Sequence, residues 1–203
     1  MYYEITDSGF LKLKSRILEL LRTELDPRLT YHSPEHTEDV IEQVGRIAAA
    51  ENITDKRLLH LMNIAALFHD TGFLRSYKGH EEDSCAIMRD TCSGMLNEQE
   101  LKLIEGMIMA TQLPQAPVTL PERIICDADL DYLGRDDFEP ISMTLKNEFM
   151  TFGVVKNEEE WDRLQVSFFD SHNYFTKTSI RERCPVKMRH LERLKQKLVR
   201  SSL

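Results

Sequence analysis

An apolar segment that ends in two adjacent polar residues most constrains the fold. Residues 58–68 are apolar except for His60 and Asn63, and His69 and Asp70 follow directly. Such a segment must be buried to be stable, so it carries the His-Asp pair to the edge of the core. An imidazole and a carboxylate need a partner under apolar cover, and both are ligands of divalent cations. A metal site is one interpretation, and a polar contact at a helix end is the common alternative.

Apolar residues recur at three- and four-residue steps, which is the period of an amphipathic helix. No segment shows sustained period-two alternation, so the sequence predicts an all-α helical bundle. Predicted helix starts are Asp7 or Ser8, Ser33, Thr54, His80, Asn97 and Pro121, with Gly134 ending the sixth helix and two or three further helices around residues 138–152, 158–174 and 181–198. We expect one domain over residues 1–203, with a motif-bearing core at about 30–135 and a helical C-terminal extension at about 153–203.

The second and third predicted helices each place a histidine on the apolar face. His36 shares a stripe with Val40 in the helix that Ser33 begins. His69 shares a face with Met62 near the end of the next helix. Both imidazoles should therefore point towards the core, as the ligands of a buried metal must.

Three separated motifs contain residues of the types that bind divalent metals. Residues 31–40 read YHSPEHTEDV, residues 67–70 read LFHD, and residues 127–134 read DADLDYLG. His36, His69, Asp70 and Asp129 offer two imidazoles and two carboxylates, a set suited to Mn, Fe, Co, Ni or Zn and less natural for Mg. Asp127 is an alternative to Asp129, because a shift of one turn would exchange the two carboxylates.

The order of these motifs resembles the HD superfamily of metal-dependent phosphohydrolases over roughly residues 31–134. The resemblance implies an HD-domain or phosphodiesterase-like helical bundle with His36, His69, Asp70 and Asp129 around one divalent metal ion. It also implies hydrolysis of a phosphate ester of a small molecule, a nucleotide or related phosphometabolite, by metal-activated water. Binuclear members usually carry a further histidine, and residues 81–171 contain none, so we expect a single metal.

Residues 31–40 also look like the corresponding motif of the cyclic-nucleotide phosphodiesterases, where an earlier histidine protonates the leaving oxygen. His32 matches that histidine, and His80 resembles a superfamily histidine that binds phosphate or a second metal. The catalytic candidates are therefore Asp70, His32 and His80, and the substrate-binding candidates on or after the adjoining loop are Arg75, Lys78 and Glu81. A cyclic-nucleotide phosphodiesterase and a non-catalytic metal- or nucleotide-binding regulatory module remain alternative functions.

Charge and composition narrow the expected partners. A net charge of −8 argues against a nucleic-acid partner, because phosphate backbones are held by clustered lysine and arginine. A small phosphorylated substrate is still compatible, since a bound cation reverses the local field. The four cysteines form no CxxC pair, and no apolar segment approaches the roughly 18 residues needed to span a membrane. We expect a cytoplasmic protein without a membrane partner, either a monomer or a homodimer, in which His60, His172 and His190 are structural.

Overall fold

The computed structural model describes residues 6–201 and consists of ten α-helices joined by short connections. The helices are α1 Asp7–Glu24, α2 Pro34–Ala50, α3 Lys56–Phe68, α4 His80–Cys92, α5 Glu98–Ala110, α6 Leu120–Asp129, α7 Phe138–Thr151, α8 Glu158–Ser171, α9 Lys177–Glu182 and α10 Cys184–Ser201. Two 3-10 turns follow α3 and α6, at Thr71–Leu74 and Asp131–Gly134. No β-strand occurs within residues 6–201, so the predicted all-α bundle is confirmed.

Side-chain caps explain why several helices begin where the sequence predicts. The Ser33 hydroxyl accepts a hydrogen bond from the backbone N–H of His36, and Pro34 occupies the first turn of α2. Asn97 and Glu100 form a reciprocal capping box at the start of α5. The cap at Ser33 matters most for the site, because it fixes the turn of helix that carries His36.

Several predicted boundaries are wrong by a residue or more. Thr6, and not Asp7 or Ser8, caps α1, and Asp55, and not Thr54, caps α3. These neighbours are all good N-caps, so periodicity alone cannot choose between them. The predicted sixth helix ends at Asp129 instead of reaching Gly134, and the C-terminal third forms four helices instead of two or three.

Two apolar clusters form the core, and the site lies where they meet. The larger cluster contains residues from each of the six helices α1 through α6, and includes the fully buried Phe68 and the almost fully buried Ala128. The smaller cluster contains Tyr31, Leu130, Tyr132, Leu133, Phe138, Phe169 and Leu191. Polar side chains between the two clusters are shielded from water on both sides, which strengthens any electrostatic interaction there.

The backbone after α3 packs directly on the start of α4. A Cβ atom on Gly72 would lie 1.8 Å from the backbone oxygen of His80, so only glycine permits this approach. The Ser84 hydroxyl donates to the backbone oxygen of His69 at 2.6 Å and accepts from Gly72 N at 2.8 Å. These contacts hold His69 and Asp70 beside His80.

The C-terminal helices pack on the motif-bearing part of the chain. Helix α9 contacts α2, and α10 contacts both α8 and the Asp131–Gly134 turn. The predicted extension at about 153–203 therefore helps to enclose the site. None of the helices in residues 6–201 combines the length and the apolar character that crossing a membrane requires.

Candidate metal centre and its cavity

Four polar side chains from three separate parts of the chain meet between the two apolar clusters. His36 lies in the first turn of α2, His69 directly follows α3 with Asp70 next to it, and Asp129 is the last residue of α6. His69 and Asp70 are buried, and His36 and Asp129 are partly buried. The order in which helices α2, α3 and α6 pack thus brings together residues that are up to 93 positions apart.

The ligand atoms of these residues face one another at short range. His36 Nε2 lies 3.2 Å from Asp129 Oδ1 and 3.4 Å from His69 Nε2. His69 Nε2 lies 3.1 Å from Asp70 Oδ2 and 3.6 Å from Asp129 Oδ1. One ligand atom each from His36, His69 and Asp129 falls within a mutual distance of 4.8 Å, a geometry that can hold a metal ion.

Hydrogen bonding fixes which nitrogen of His69 faces this centre. His69 Nδ1 lies 2.8 Å from the backbone oxygen of Ala66, which can only accept, so Nδ1 carries the proton. In the neutral ring, Nε2 then presents a lone pair to the two carboxylates. Asp70 Oδ2 is buried and has no hydrogen-bond donor. Acceptor atoms that converge in this way need either a proton or a metal cation between them.

The electrostatics of the centre favour positive charge. Burial alone would lower the pKa of His69, but Asp70 and Asp129 outweigh burial and raise that pKa well above its usual range. Burial would raise the pKa of Asp129, yet its hydrogen bonds with His36 and His69 lower it to about 2. Asp70 has its pKa lowered well below the usual range, since burial is outweighed by His69. Both carboxylates are therefore ionised ligands at neutral pH.

Asp127 and Asp129, the two candidates for the distal ligand, have different environments. The carboxylate of Asp127 accepts hydrogen bonds from the backbone N–H groups of Phe175 and Thr176, each at 2.8 Å, and from the Thr176 hydroxyl at 2.6 Å. Asp127 thereby holds the segment before α9. Only Asp129 points at the two histidines, so the geometry favours Asp129 over Asp127 as the distal ligand.

His32 lies beside the centre and is held by a residue that the sequence analysis did not identify. His32 Nδ1 lies 2.5 Å from Glu148 Oε1, and Glu148 Oε2 accepts from the backbone N–H groups of Tyr31 and His32. Glu148 is fully buried in α7. Burial by itself would lower the pKa of His32. The hydrogen bond with Glu148 and, to a smaller extent, the negative charge of Asp70 outweigh burial, so the pKa of His32 is raised. A protonated His32 is therefore stabilised.

A stack of three rings connects His32 to His80. The Phe73 ring lies 4.2 Å from the His32 ring and 4.0 Å from the His80 ring, centroid to centroid. His80 Nε2 in turn lies 3.4 Å from Asp70 Oδ1. The predicted catalytic candidates Asp70, His32 and His80 are thus brought together, while their catalytic roles stay predictions.

The three predicted substrate-binding residues are not all brought to one place. Lys78 and Glu81 line the cavity that opens from the centre. Arg75 is exposed, lies outside the lining and pairs with Asp83 at 3.7 Å. Substrate binding by these residues stays a prediction, and the placement favours Lys78 and Glu81 over Arg75.

The cavity has a volume of about 470 Å³, within the range of small-molecule sites. Asp70, Asp129, His32 and His80 lie at one end of its lining. The rest of the lining is mostly aromatic and aliphatic, and includes Trp161 of α8. The metal centre therefore opens into a mainly apolar chamber.

Comparison of the chain with protein-family models, with curated proteins and with solved structures gives no match. The resemblance to the HD superfamily therefore continues to depend on the motifs in residues 31–134.

The remaining histidines and the cysteines lie away from the centre. His60 pairs with Asp7 at 2.7 Å, and His190 contacts the backbone oxygen of Arg135 at 2.8 Å. Burial, followed by the nearby Lys187, lowers the pKa of His172 to about 3, so its ring is neutral. All four cysteines are free thiols, as the lack of a CxxC pair suggests. These positions fit the structural roles that the sequence predicts for them.

Glu148 left one signal in the sequence. Ile141, Leu145, Glu148 and Phe152 share one helical stripe, so a carboxylate stands where an apolar residue is expected. Such a residue needs a buried partner, and here the partner is His32. Nothing in the sequence indicates which distant residue that partner is.

Proposed function

We propose that this protein is a metal-dependent phosphohydrolase that cleaves a phosphate ester of a small molecule. The observation that supports the proposal is the convergence of ligand atoms from His36, His69, Asp70 and Asp129, with Asp70 Oδ2 buried and without a donor. A nucleotide or related phosphometabolite is the substrate class that the motifs suggest.

The donor set fits one divalent cation of the Mn to Zn series. Two imidazoles and two carboxylates are borderline and hard ligands, and two negative charges match a doubly charged ion. A cation bound there would lower the pKa of a water molecule towards about 7 and polarise a phosphoryl oxygen. Such an ion also ties α2, α3 and α6 together, so its binding should stabilise the fold.

The side chains around the centre supply the remaining chemistry. Lys78 and His80 lie where they can bind phosphate oxygens, since both line the same cavity as Asp70. His32, kept protonated by Glu148, can donate its proton to the oxygen of the departing alcohol. Phe73 holds both rings in place through stacking contacts.

Metal-stripped protein tests the proposal. We expect hydrolysis of at least one compound in a panel of phosphorylated metabolites when Mn, Fe, Co, Ni, Zn or Mg is added back. His69→Ala should abolish this activity, whereas His60→Ala, the same change on the opposite end of α3, should retain it. Absence of hydrolysis with every cation, from folded wild-type protein, would contradict the proposal.

Two alternatives are separated by the same panel. Faster cleavage of cyclic nucleotides than of monoesters would favour a phosphodiesterase, a role in which His32 held by Glu148 would again act as the acid. Tight nucleotide binding without hydrolysis would favour a regulatory module. Cytoplasmic location and a homodimer remain predictions, which cell fractionation and sedimentation would test.

A further inference from the structure

The two ends of the cavity differ sharply in chemistry. The end at the metal centre carries carboxylates, imidazoles and Lys78. Helices α7 and α8 supply the apolar end of the lining, which consists of Leu145, Phe149, Trp161, Leu164, Phe168 and Phe169. A ligand that fills the whole cavity must therefore be polar at one end and apolar at the other.

Aromatic rings shape the apolar end. The Phe149 ring meets the Trp161 ring edge to face, with centroids 5.9 Å apart and planes at 89°. Trp161 is only 5% exposed, and Phe169 is 2% exposed. Rings locked by packing present fixed faces and edges, which suit a flat aromatic group better than a flexible polar chain.

Few hydrogen-bonding groups are available at this end. Gln165 lines the cavity there, and its amide Nε2 donates to the Ser142 hydroxyl at 2.5 Å. A sugar placed against these walls would lose hydrogen bonds to water without replacing them, a loss that disfavours binding.

The rim of the cavity is apolar as well. Leu113, in the loop after α5, is 57% exposed, and Leu164 of α8 is 37% exposed, yet both line the cavity. Exposed leucines at the edge of a pocket lose contact with water when an apolar ligand enters. The rim thus favours the same kind of group as the interior.

The charge at the metal end limits the phosphate. Asp70, Glu81 and Asp129 line the cavity together with Lys78, which is the sole lysine or arginine among its described lining residues. A divalent cation and Lys78 carry three positive charges, which only offset the three carboxylates and leave no surplus for a highly charged ligand, so a single phosphate group is favoured. A diphosphate or triphosphate would need further cations that the described lining does not provide.

We propose that the substrate is a phosphate monoester whose organic group is aromatic, with the phosphate at the metal centre and the ring packed against the wall that contains Phe149 and Trp161. This inference deepens the proposed hydrolase function and depends on it. The shared chemistry is a flat ring next to a single phosphate, and either a nucleobase or a simple aryl group can provide it.

Trp161 provides a binding test that is independent of catalysis, because it is the one tryptophan of the chain. We would titrate Mn²⁺-loaded protein with 4-nitrobenzylphosphonate, whose nitro group quenches indole fluorescence and whose P–C bond resists hydrolysis. We expect saturable quenching at concentrations at least tenfold lower than for nitrobenzene. Methylphosphonate should displace the probe only at concentrations at least tenfold higher than those at which 4-nitrobenzylphosphonate itself binds. Equal competition by methylphosphonate, or no saturable quenching, would overturn the inference.

Hydrolysis gives a second test with matched leaving groups. Benzyl phosphate, adenosine 5′-monophosphate and glycerol 3-phosphate all release a primary alcohol, so their rates report recognition. We expect kcat/KM for benzyl phosphate or the adenosine ester to exceed that for glycerol 3-phosphate tenfold or more. The faster of the first two identifies the ring as aryl or nucleobase. Equal rates for all three would overturn the inference and leave the hydrolase proposal intact.

Variants link the preference to the rings. Phe149→Leu keeps an apolar side chain but removes the ring, and should reduce the preference over glycerol 3-phosphate at least threefold. Phe175→Leu makes the same change at a half-buried position outside the cavity lining and is the matched control. An unchanged preference in Phe149→Leu, or an equal loss in both variants, would contradict this placement of the ring.

Discussion

Two carboxylates only two residues apart, Asp129 and Asp131, lie in opposite kinds of polar cluster. Asp131 is fully buried and surrounded by arginines: Oδ1 accepts from Arg46 at 2.6 Å and from Arg183 at 2.8 Å, and Oδ2 faces Arg135 at 3.8 Å. Asp129 instead faces two imidazoles and a second carboxylate, Asp70. The ion pairs of Asp131 are therefore with guanidinium groups, whereas those of Asp129 are with imidazoles, which can give up a proton to bind a metal.

The difference distinguishes a structural cluster from one built to bind. Around Asp131, each charge is neutralised within the chain, so the cluster joins α2, the turn after α6 and the segment before α10 without help. Around Asp129, ligand atoms of His36, His69 and Asp129 converge. Asp70 Oδ2 and Asp131 Oδ2 are both buried without a hydrogen-bond donor, but Asp131 Oδ2 faces the Arg135 guanidinium at 3.8 Å, whereas Asp70 Oδ2 faces imidazoles. A buried polar group without a partner costs free energy, which a bound cation would recover.

Removing a negative charge should reduce activity in the cluster around Asp129 and stability in the cluster around Asp131. The loss of activity is the largest expected effect. Asp70→Asn keeps the size of the side chain but removes one ionised ligand. We expect kcat/KM to fall by about 10²- to 10³-fold, the usual cost of losing one electrostatic group in a reaction centre. Steady-state hydrolysis, with circular dichroism as a check on folding, measures it. Full activity in this variant would contradict the assignment of the centre.

Asp131→Asn should instead reduce stability. The substitution leaves Arg183 without its carboxylate acceptor and removes one of the two carboxylates that Arg46 contacts, since Arg46 also pairs with Glu182 at 2.7 Å. We expect the free energy of unfolding to fall by about 3 kcal/mol. Urea unfolding measures the change. Below the transition, the folded variant should keep most of its activity, because Asp131 does not touch the centre. Loss of metal binding with unchanged stability would reverse the distinction between the clusters.

Metal addition should sharpen the same comparison. A divalent cation at about 100 times its Kd should stabilise the wild-type protein by about 2.7 kcal/mol. Asp131→Asn should gain a similar amount, whereas Asp70→Asn should gain far less. Thermal unfolding with and without added Mn²⁺ or Zn²⁺ provides the measurement. Equal gains in all three proteins would place the cation elsewhere.

The smallest expected effect concerns the pH dependence. Glu148 raises the pKa of His32, so His32 stays protonated to higher pH than a free imidazole. Glu148→Gln removes that charge and should lower the pKa of His32. If His32 is the acid, the alkaline limb of the kcat/KM profile then moves to lower pH, and the rate falls by about tenfold. An unmoved limb would argue against His32 as the acid.

The predicted ligands show how much of the site could be predicted from the sequence. Ser33 and Pro34 determine where α2 begins, so the inward direction of His36 could be predicted from local rules. The choice of Asp129 over Asp127 could not be predicted in this way. It depends on the backbone N–H groups of Phe175 and Thr176, which donate to the Asp127 carboxylate in the folded chain. Arg75 shows the same limit, since its place on a loop near the motif says nothing about which way it turns.

The sequence by itself determined most of the helices and their buried faces, and with them the inward direction of His36 and His69, because period and capping act within one or two turns of chain. Only the tertiary structure decided that Glu148 holds His32, that Asp131 is neutralised by arginines, and that α7 and α8 supply an aromatic wall. These features join residues far apart in the chain. Their contacts exist only after the helices have packed, and no local rule specifies which distant side chain a buried charge or ring will meet.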